Sequence, residues 1–116
     1  PLLDKIYPNS GNFIAFVGNT ASGKLVRNAI GSFRSHATIA SEGAALPSEM
    51  PGIGWSDHWA FWQHGYRAFM ITDTAPFRYP FYHSAEDTPD KLDYDSMTRV
   101  VAGVEKMIRD LASDAG

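Results

Sequence analysis

An uninterrupted apolar run near the start of the chain constrains the fold most. The segment from Phe13 to Val17 contains only apolar residues and is followed directly by Gly18, which is typical of a strand buried on both faces of a parallel sheet. A helix is predicted next, with Thr20 or Ser22 as its cap and an apolar stripe formed by Leu25, Val26, Ala29, Ile30 and Phe33. A buried strand that leads into an amphipathic helix predicts an α/β protein with a mostly parallel sheet.

The middle of the chain contains both weak and strong indications of secondary structure. Composition between Thr38 and Trp55 is rich in Ala, Gly, Pro, Ser and Glu, so we expect loop there, apart from a short strand-like piece at 38–40. Ser56 and Asp57 can start a short aromatic helix over 58–64, which Gly65 would end. The apolar block 68–71 predicts a second buried strand.

The last element is a long amphipathic helix. Asp93 or Asp95 can cap it, and its apolar stripe consists of Met97, Val100, Val101, Val104, Met107, Ile108 and Leu111. Before it lies a loop rich in proline and aromatic residues, Pro76 to Pro89, which follows the second buried strand. Ligands in open α/β sheets bind outside the carboxyl ends of strands, so we expect the chemistry near this loop.

Composition narrows the class of protein. The 116 residues are 44% hydrophobic and 13% aromatic, as in one globular unit with no internal boundary. A net charge of -3 with scattered basic residues argues against a nucleic-acid partner. Nothing resembles a signal peptide or a membrane span of about 20 apolar residues, so we expect a soluble chain, and the sequence assigns no compartment.

Metal chemistry, if present, depends on imidazoles and carboxylates. The chain has no Cys, which excludes disulfides and thiolate zinc sites. His83 lies in the long loop beside Tyr82 and close to Glu86 and Asp87, where a neutral imidazole could bind zinc. Asp57 could be an ordinary helix cap, or a carboxylate that orients a catalytic group by hydrogen bonding.

A second motif points to a different function. Residues 18–24 lie between the strand and the helix and match most of a phosphate-binding loop, but Leu25 stands where that loop needs Ser or Thr to bind magnesium. An ordinary strand-to-helix turn is the favoured interpretation. The alternative is a small α/β binding module that uses the loop from Gly18 to Lys24 for an anionic or nucleotide ligand.

The second half of the chain resembles the end of the bacterial zinc-aminopeptidase family, which also includes glutaminyl cyclases. The segments that carry the resemblance are Trp55-Ser56-Asp57-His58, Phe61-Trp62, Gly65-Tyr66, Thr72-Asp73-Thr74, Tyr82-His83-Ser84, Asp87-Thr88-Pro89 and Leu92-Asp93-Tyr94. The strand at 13–19 and its helix fit the same family more loosely. This resemblance implies a three-layer α/β sandwich of which the chain is the carboxy-terminal part.

The resemblance also implies roles for individual residues. His83 matches a zinc ligand of the family, Tyr82 matches a residue that stabilises the tetrahedral intermediate in some members, and Asp57 matches a supporting carboxylate. Phe61, Trp62 and Phe77 are expected to shape the pocket for a peptide substrate.

Most of the machinery of such an enzyme has no counterpart in the sequence. The family binds two zinc ions, and a Glu acts as the general base; the other ligands and this Glu map to segments before Pro1. A catalytic zinc generally needs three protein ligands. We therefore expect an excised fragment of a zinc aminopeptidase that is inactive in isolation, and that either forms a homo-oligomer or packs against a missing amino-terminal half.

Overall fold

A computed structural model describes residues 13–73, 85, 88–91 and 93–114. Short 3-10 turns lie at Thr20–Ser22 and Pro89–Lys91. The regular elements, in chain order, are β1 (Phe13–Asn19), α1 (Gly23–His36), β2 (Ala40–Leu46), α2 (His58–Gln63), β3 (Phe69–Thr72) and α3 (Tyr94–Asp114). Both predicted strands and all three predicted helices are therefore confirmed, and β2 is an addition.

The described strands form one mixed sheet in the order β2-β1-β3. β2 runs parallel to β1, whereas β3 is antiparallel, with Thr72 opposite Ala15 and Phe69 opposite Gly18. The predicted α/β class is confirmed, but these strands make one parallel and one antiparallel pair rather than a mostly parallel sheet. As a result β3 ends beside the first half of β1, so its carboxyl end does not lie at the edge where β1 and β2 end.

The strand β2 corrects the sequence prediction of loop beyond residue 40. Its residues are mostly small and none is β-branched, so strand propensity alone does not reveal it. Pairing with β1 over seven positions supplies the missing signal. Gly43 adds a packing reason, because a Cβ there would lie 3.2 Å from Ile30 Cδ1 and 3.4 Å from Val26 Cγ1 of α1.

The two faces of the sheet have separate cores, as the uninterrupted apolar run in β1 predicts. Successive side chains of a strand point to opposite faces. Phe13, Ala15 and Val17 pack on one face with Ile53 and Trp62. On the other face Phe16 packs against the inner sides of α1 and α3, through Val26, Ala29, Ile30, Phe33 and Met107.

Aromatic contacts hold α1 and β3 against β1, and a small residue lets α3 pack closely on α1. The Phe16 ring lies edge-on to Phe33, with centroids 5.2 Å apart, and stacks on Phe69 at 5.8 Å. Gly103 lets α3 approach closely, since a Cβ there would lie 2.7 Å from the Phe33 ring. The predicted stripe on α3 is only partly covered, because Met97, Val101 and Ile108 are exposed.

Only some of the residues predicted to cap helices do so in the structure. Asp93 caps α3, since its carboxylate accepts hydrogen bonds from the backbone N–H and the hydroxyl of Ser96. These bonds lower the pKa of Asp93 below its ordinary value. Ser22 occupies the N-cap position of α1 but forms no cap bond there, because its hydroxyl is bonded elsewhere. Among the described helices, none is long and apolar enough to cross a bilayer.

Candidate functional site

Asp57 immediately precedes α2, at the end of the loop that follows β2. Its carbonyl oxygen accepts a hydrogen bond from the N–H of Ala60 at 3.2 Å, but its carboxylate forms no cap bond. The side chain is exposed. The carboxylate therefore does not fill the expected capping role.

His58, the next residue, is buried and hydrogen-bonded, in contrast to Asp57. The imidazole is 6% exposed, and its Nε2 is hydrogen-bonded to the carbonyl oxygen of Ile53. Its ring meets Trp62 edge-on, with centroids 4.7 Å apart and planes at 87°. A carbonyl oxygen only accepts hydrogen bonds, so Nε2 must carry the proton in this contact. The imidazole is thus fully engaged with the core.

The two predicted pocket aromatics of α2 have different surroundings. Trp62 is 8% exposed, and its indole N–H donates to the carbonyl oxygen of Ala68 at 2.8 Å. Phe61 is 56% exposed. Their roles in substrate binding stay predictions, and in the described part of the chain Trp62 contributes to the core while Phe61 faces outward.

Exposed aromatic side chains surround α2. Besides Phe61 they belong to Trp55, Trp59 and Tyr66. Aromatic rings are concentrated in binding surfaces because they bury a large apolar area at small entropic cost. The sequence shows these residues, but it does not reveal which rings enter the core.

A buried hydroxyl connects this region to the turn after β1. Ser22 is fully buried, donates to Asn19 Oδ1 at 2.6 Å and accepts from the N–H of Ala68 at 3.0 Å. Trp62 bonds to the carbonyl oxygen of the same Ala68. Both backbone groups of Ala68 are therefore bonded to side chains, which joins α2, the start of β3 and the turn at 20–22.

The same turn bears on the anion-binding alternative. A phosphate-binding loop offers free backbone N–H groups to its ligand. Here the N–H of Ser22 already donates to Asn19 Oδ1 at 3.1 Å. This bond removes one amide that a phosphate would need, and it favours the interpretation of residues 18–24 as a structural turn.

The predicted metal and oxyanion residues fall outside the described residues. This applies to Tyr82, to His83 and to the pocket residue Phe77. Within 13–73 and the described positions after 84, no group of three or more potential ligands is placed to hold a metal ion. The described residues therefore do not by themselves fit a zinc centre.

His58 is the residue that sequence reasoning missed. The sequence prediction placed the imidazole in a motif but assigned it no role of its own. A signal was present, because His58 and Trp62 are four residues apart and lie on one face of a helix. Apolar neighbours at that spacing indicate a buried side, on which a histidine needs a hydrogen-bond partner.

Comparison with known proteins places the chain among peptidases. The model of "Peptidase family M28" matches residues 2–108. "Uncharacterized protein YfbL" of Escherichia coli (strain K12) is 40% identical over 104 residues, which make up 90% of this chain and 32% of the relative. The chain thus spans about a third of that relative's length. No solved structure matches the chain.

Proposed function

This chain belongs to peptidase family M28, and we propose that it forms the carboxy-terminal part of a zinc-dependent aminopeptidase domain. Such a domain would hydrolyse the peptide bond that follows the first residue of its substrate. The proposal is carried by the family match over 2–108, which includes Asp57, Tyr82 and His83. When bound, zinc would supply the activation of the attacking water.

The residues of this chain would contribute unequally to that reaction. His83 would be its zinc ligand, Tyr82 would donate a hydrogen bond to the developing oxyanion, and Asp57 would orient a neighbouring group. The exposed carboxylate of Asp57 supports the last role, because it bonds to no other described residue and can accept hydrogen bonds. Phe61 and Phe77 would border the substrate, and Trp62 would do so only through the exposed edge of its ring.

We further propose that the three described strands belong to a larger, mostly parallel sheet in a three-layer domain. Helices already cover both faces of β1, with α1 and α3 on one side and α2 on the other. In the described residues β2 and β3 each pair only with β1. Their outer edges are therefore open to further pairing, either with other strands of the same domain or with a second copy.

The 116-residue chain is expected to be inactive by itself. His83 is the one position that matches a zinc ligand of the family, and a catalytic zinc site needs about three protein ligands and an open position. We expect no hydrolysis of aminoacyl-4-nitroanilides by the purified chain with added zinc. Turnover by this chain alone would refute the proposed inactivity.

The zinc role is tested in a longer protein that contains these residues. We expect hydrolysis of substrates with a free amino terminus, and none of the same substrates after N-acetylation. His83→Ala should lower kcat/KM by roughly 100-fold or more, because even the loss of a partner of a ligand costs about 10- to 100-fold. His64→Ala is the matched control, since His64 is an exposed imidazole at the end of α2.

Two results would contradict the proposal. Equal zinc content and activity in the His83→Ala and unsubstituted proteins would exclude His83 as a ligand. Binding of a nucleotide or inorganic phosphate that is lost in Lys24→Ala would favour the anion-binding module instead, because Lys24 is exposed and takes no part in the peptidase motif.

A further inference from the structure

Asp57 depends on its backbone for its direction. The side chain is exposed, forms no cap bond and has no hydrogen-bond or ion-pair partner in the described part of the chain. The backbone fixes the Cα–Cβ bond of Asp57, from which the carboxylate extends in one of its staggered rotamers. The residues that hold this stretch of backbone therefore decide which region the carboxylate can reach.

The buried imidazole of His58 holds the backbone around Asp57 in place. Its Nε2–H donates to the carbonyl oxygen of Ile53, which closes a loop over 53–58 that contains Asp57. Ile53 is itself 3% exposed and belongs to the core against the sheet. Both ends of the closed loop are thus anchored in the core, and Asp57 lies one residue from one of the anchors.

A second set of contacts holds the helix that begins at His58. The His58 ring meets Trp62 one turn later. The indole N–H of Trp62 donates to Ala68, whose own N–H donates to Ser22. The chain of contacts runs without a gap from Ile53 to the turn after β1, so α2 cannot rotate without breaking a buried hydrogen bond.

We propose that His58 is a positioning residue that sets the direction of the Asp57 carboxylate by closing the loop onto Ile53. The consequence for catalysis rests on the proposed function, whereas the positioning itself rests on the contacts of His58. A histidine that only filled the core would be replaceable by any side chain of similar size. A positioning histidine is replaceable only by a side chain that keeps the N–H at the place of Nε2.

Two amide substitutions separate these cases. In His58→Gln the side-chain N–H reaches about as far as Nε2 and can still donate to Ile53. In His58→Asn the amide is one methylene shorter and falls short of that carbonyl oxygen. His64→Asn is the matched control, because His64 is exposed and follows the last residue of α2.

The first readout is the NMR spectrum of the 116-residue chain. We expect His58→Asn to move the side-chain carboxyl signal of Asp57 and the amide signals of 54–57, and His58→Gln to restore them. His64→Asn should leave them in place. The proposal is wrong if Asp57 keeps its signals in a folded His58→Asn chain, or if His58→Gln disturbs them as much as His58→Asn does.

The second readout is catalysis by a longer protein that contains the chain. His58→Asn should lower kcat by about tenfold with a nearly unchanged KM, and His58→Gln should recover most of the loss. Full activity in His58→Asn despite displaced Asp57 signals would overturn the link between positioning and catalysis. An inactive unsubstituted protein would refute the proposed function, and the NMR comparison would still decide the positioning.

Should His58→Asn prevent folding, His58→Gln and Trp62→Phe keep the proposal open to refutation. Trp62→Phe keeps a ring beside the imidazole but removes the hydrogen bond to Ala68. The expected order of Asp57 signal displacement is then His58→Gln smallest and Trp62→Phe larger. The reverse order would show that a side chain which keeps the N–H does not replace the imidazole, and it would overturn the proposal.

Discussion

Asp110 is the residue whose protonation couples most directly to the packing of the two long helices. Its Oδ2 on α3 accepts a hydrogen bond from the hydroxyl of Ser32 at 2.7 Å and lies 2.9 Å from Nε2 of His36, both on α1. The bond from Ser32, and then the bond from His36, lower the pKa of Asp110 below its ordinary value of 3.8. The folded chain therefore favours the carboxylate form more than the unfolded chain does.

The sign of the pH dependence follows from this lowered pKa. The stabilisation from Asp110 is fully present above the unfolded value, near 3.8, and is lost as pH falls through the lower pKa of the folded state. We expect Asp110→Asn to lower the melting temperature near neutral pH. The difference from the unsubstituted chain should shrink in acid, which thermal unfolding at a series of pH values measures.

Two serines provide the controls for this prediction. Ser32→Ala should reduce the same acid-dependent difference, since Ser32 is the largest cause of the lowered pKa. Ser113→Ala should not reduce it, because the Ser113 hydroxyl donates to the carbonyl oxygen of Arg109, although Ser113 lines a groove between α1 and α3 together with Ser32 and Asp110. A difference between Asp110→Asn and the unsubstituted chain that is constant with pH would contradict the assignment.

The sequence predicts site residues well where the signal is local, and poorly where burial depends on the fold. Asp57 at the start of α2 and Asp93 as the cap of α3 are both readable from short motifs. The opposite environments of Phe61 and Trp62 are not, because the sheet face that α2 covers is set by pairing of distant strands. The burial of His58 was missed for the same reason.

At the scale of elements, the contact between α1 and α3 depends on one glycine. A Cβ at Gly103 would lie 2.7 Å from Phe33 Cε1 and 2.9 Å from the Cβ of Ala37. Phe33 is fully buried and cannot move aside. We expect Gly103→Ala to lower the free energy of unfolding by up to about 2 kcal/mol, since overpacking costs about 1–3 kcal/mol and the gain in helix propensity is about 1 kcal/mol.

Gly31 gives a control on the same pair of helices. It lies on the exposed side of α1, and a Cβ there would meet nothing within 4 Å. Gly31→Ala should therefore raise the free energy of unfolding by about 0.5–1 kcal/mol. Urea unfolding of both variants makes the comparison, and a stabilising Gly103→Ala would show that α3 does not pack as closely as the structure indicates.

The elements differ in whether their own residues or contacts with distant residues determine them. β1 was predictable from its uninterrupted apolar run, and α1 and α3 were predictable because their apolar residues repeat with the period of a helix. β2 was not, since Ser41 to Leu46 gain strand geometry from β1 and space from Gly43 rather than from their own propensity. The antiparallel direction of β3 was also not predictable, because a short apolar block such as 68–71 carries no information on strand direction.

For the whole molecule, the described structure leaves apolar surface uncovered on α3. Val101 is 61% exposed and Ile108 is 56% exposed, and residues seven apart lie on one face of a helix. A neighbouring apolar surface would cover this face, either in the same domain or in a second copy. Both arrangements agree with a chain that spans 32% of its relative from Escherichia coli.

We expect the purified chain to self-associate through this face. Sedimentation at high concentration should then give a mass above the 12.8 kDa of one chain. Val101→Lys should return the mass toward that of a monomer, because a charge in a buried apolar contact is costly. Ala102→Lys, at an exposed position on a neighbouring side of α3, adds the same charge and should leave the association unchanged. A monomer at every concentration would contradict the homo-oligomer, and equal effects of the two lysines would show that net charge, rather than the Val101 face, controls association.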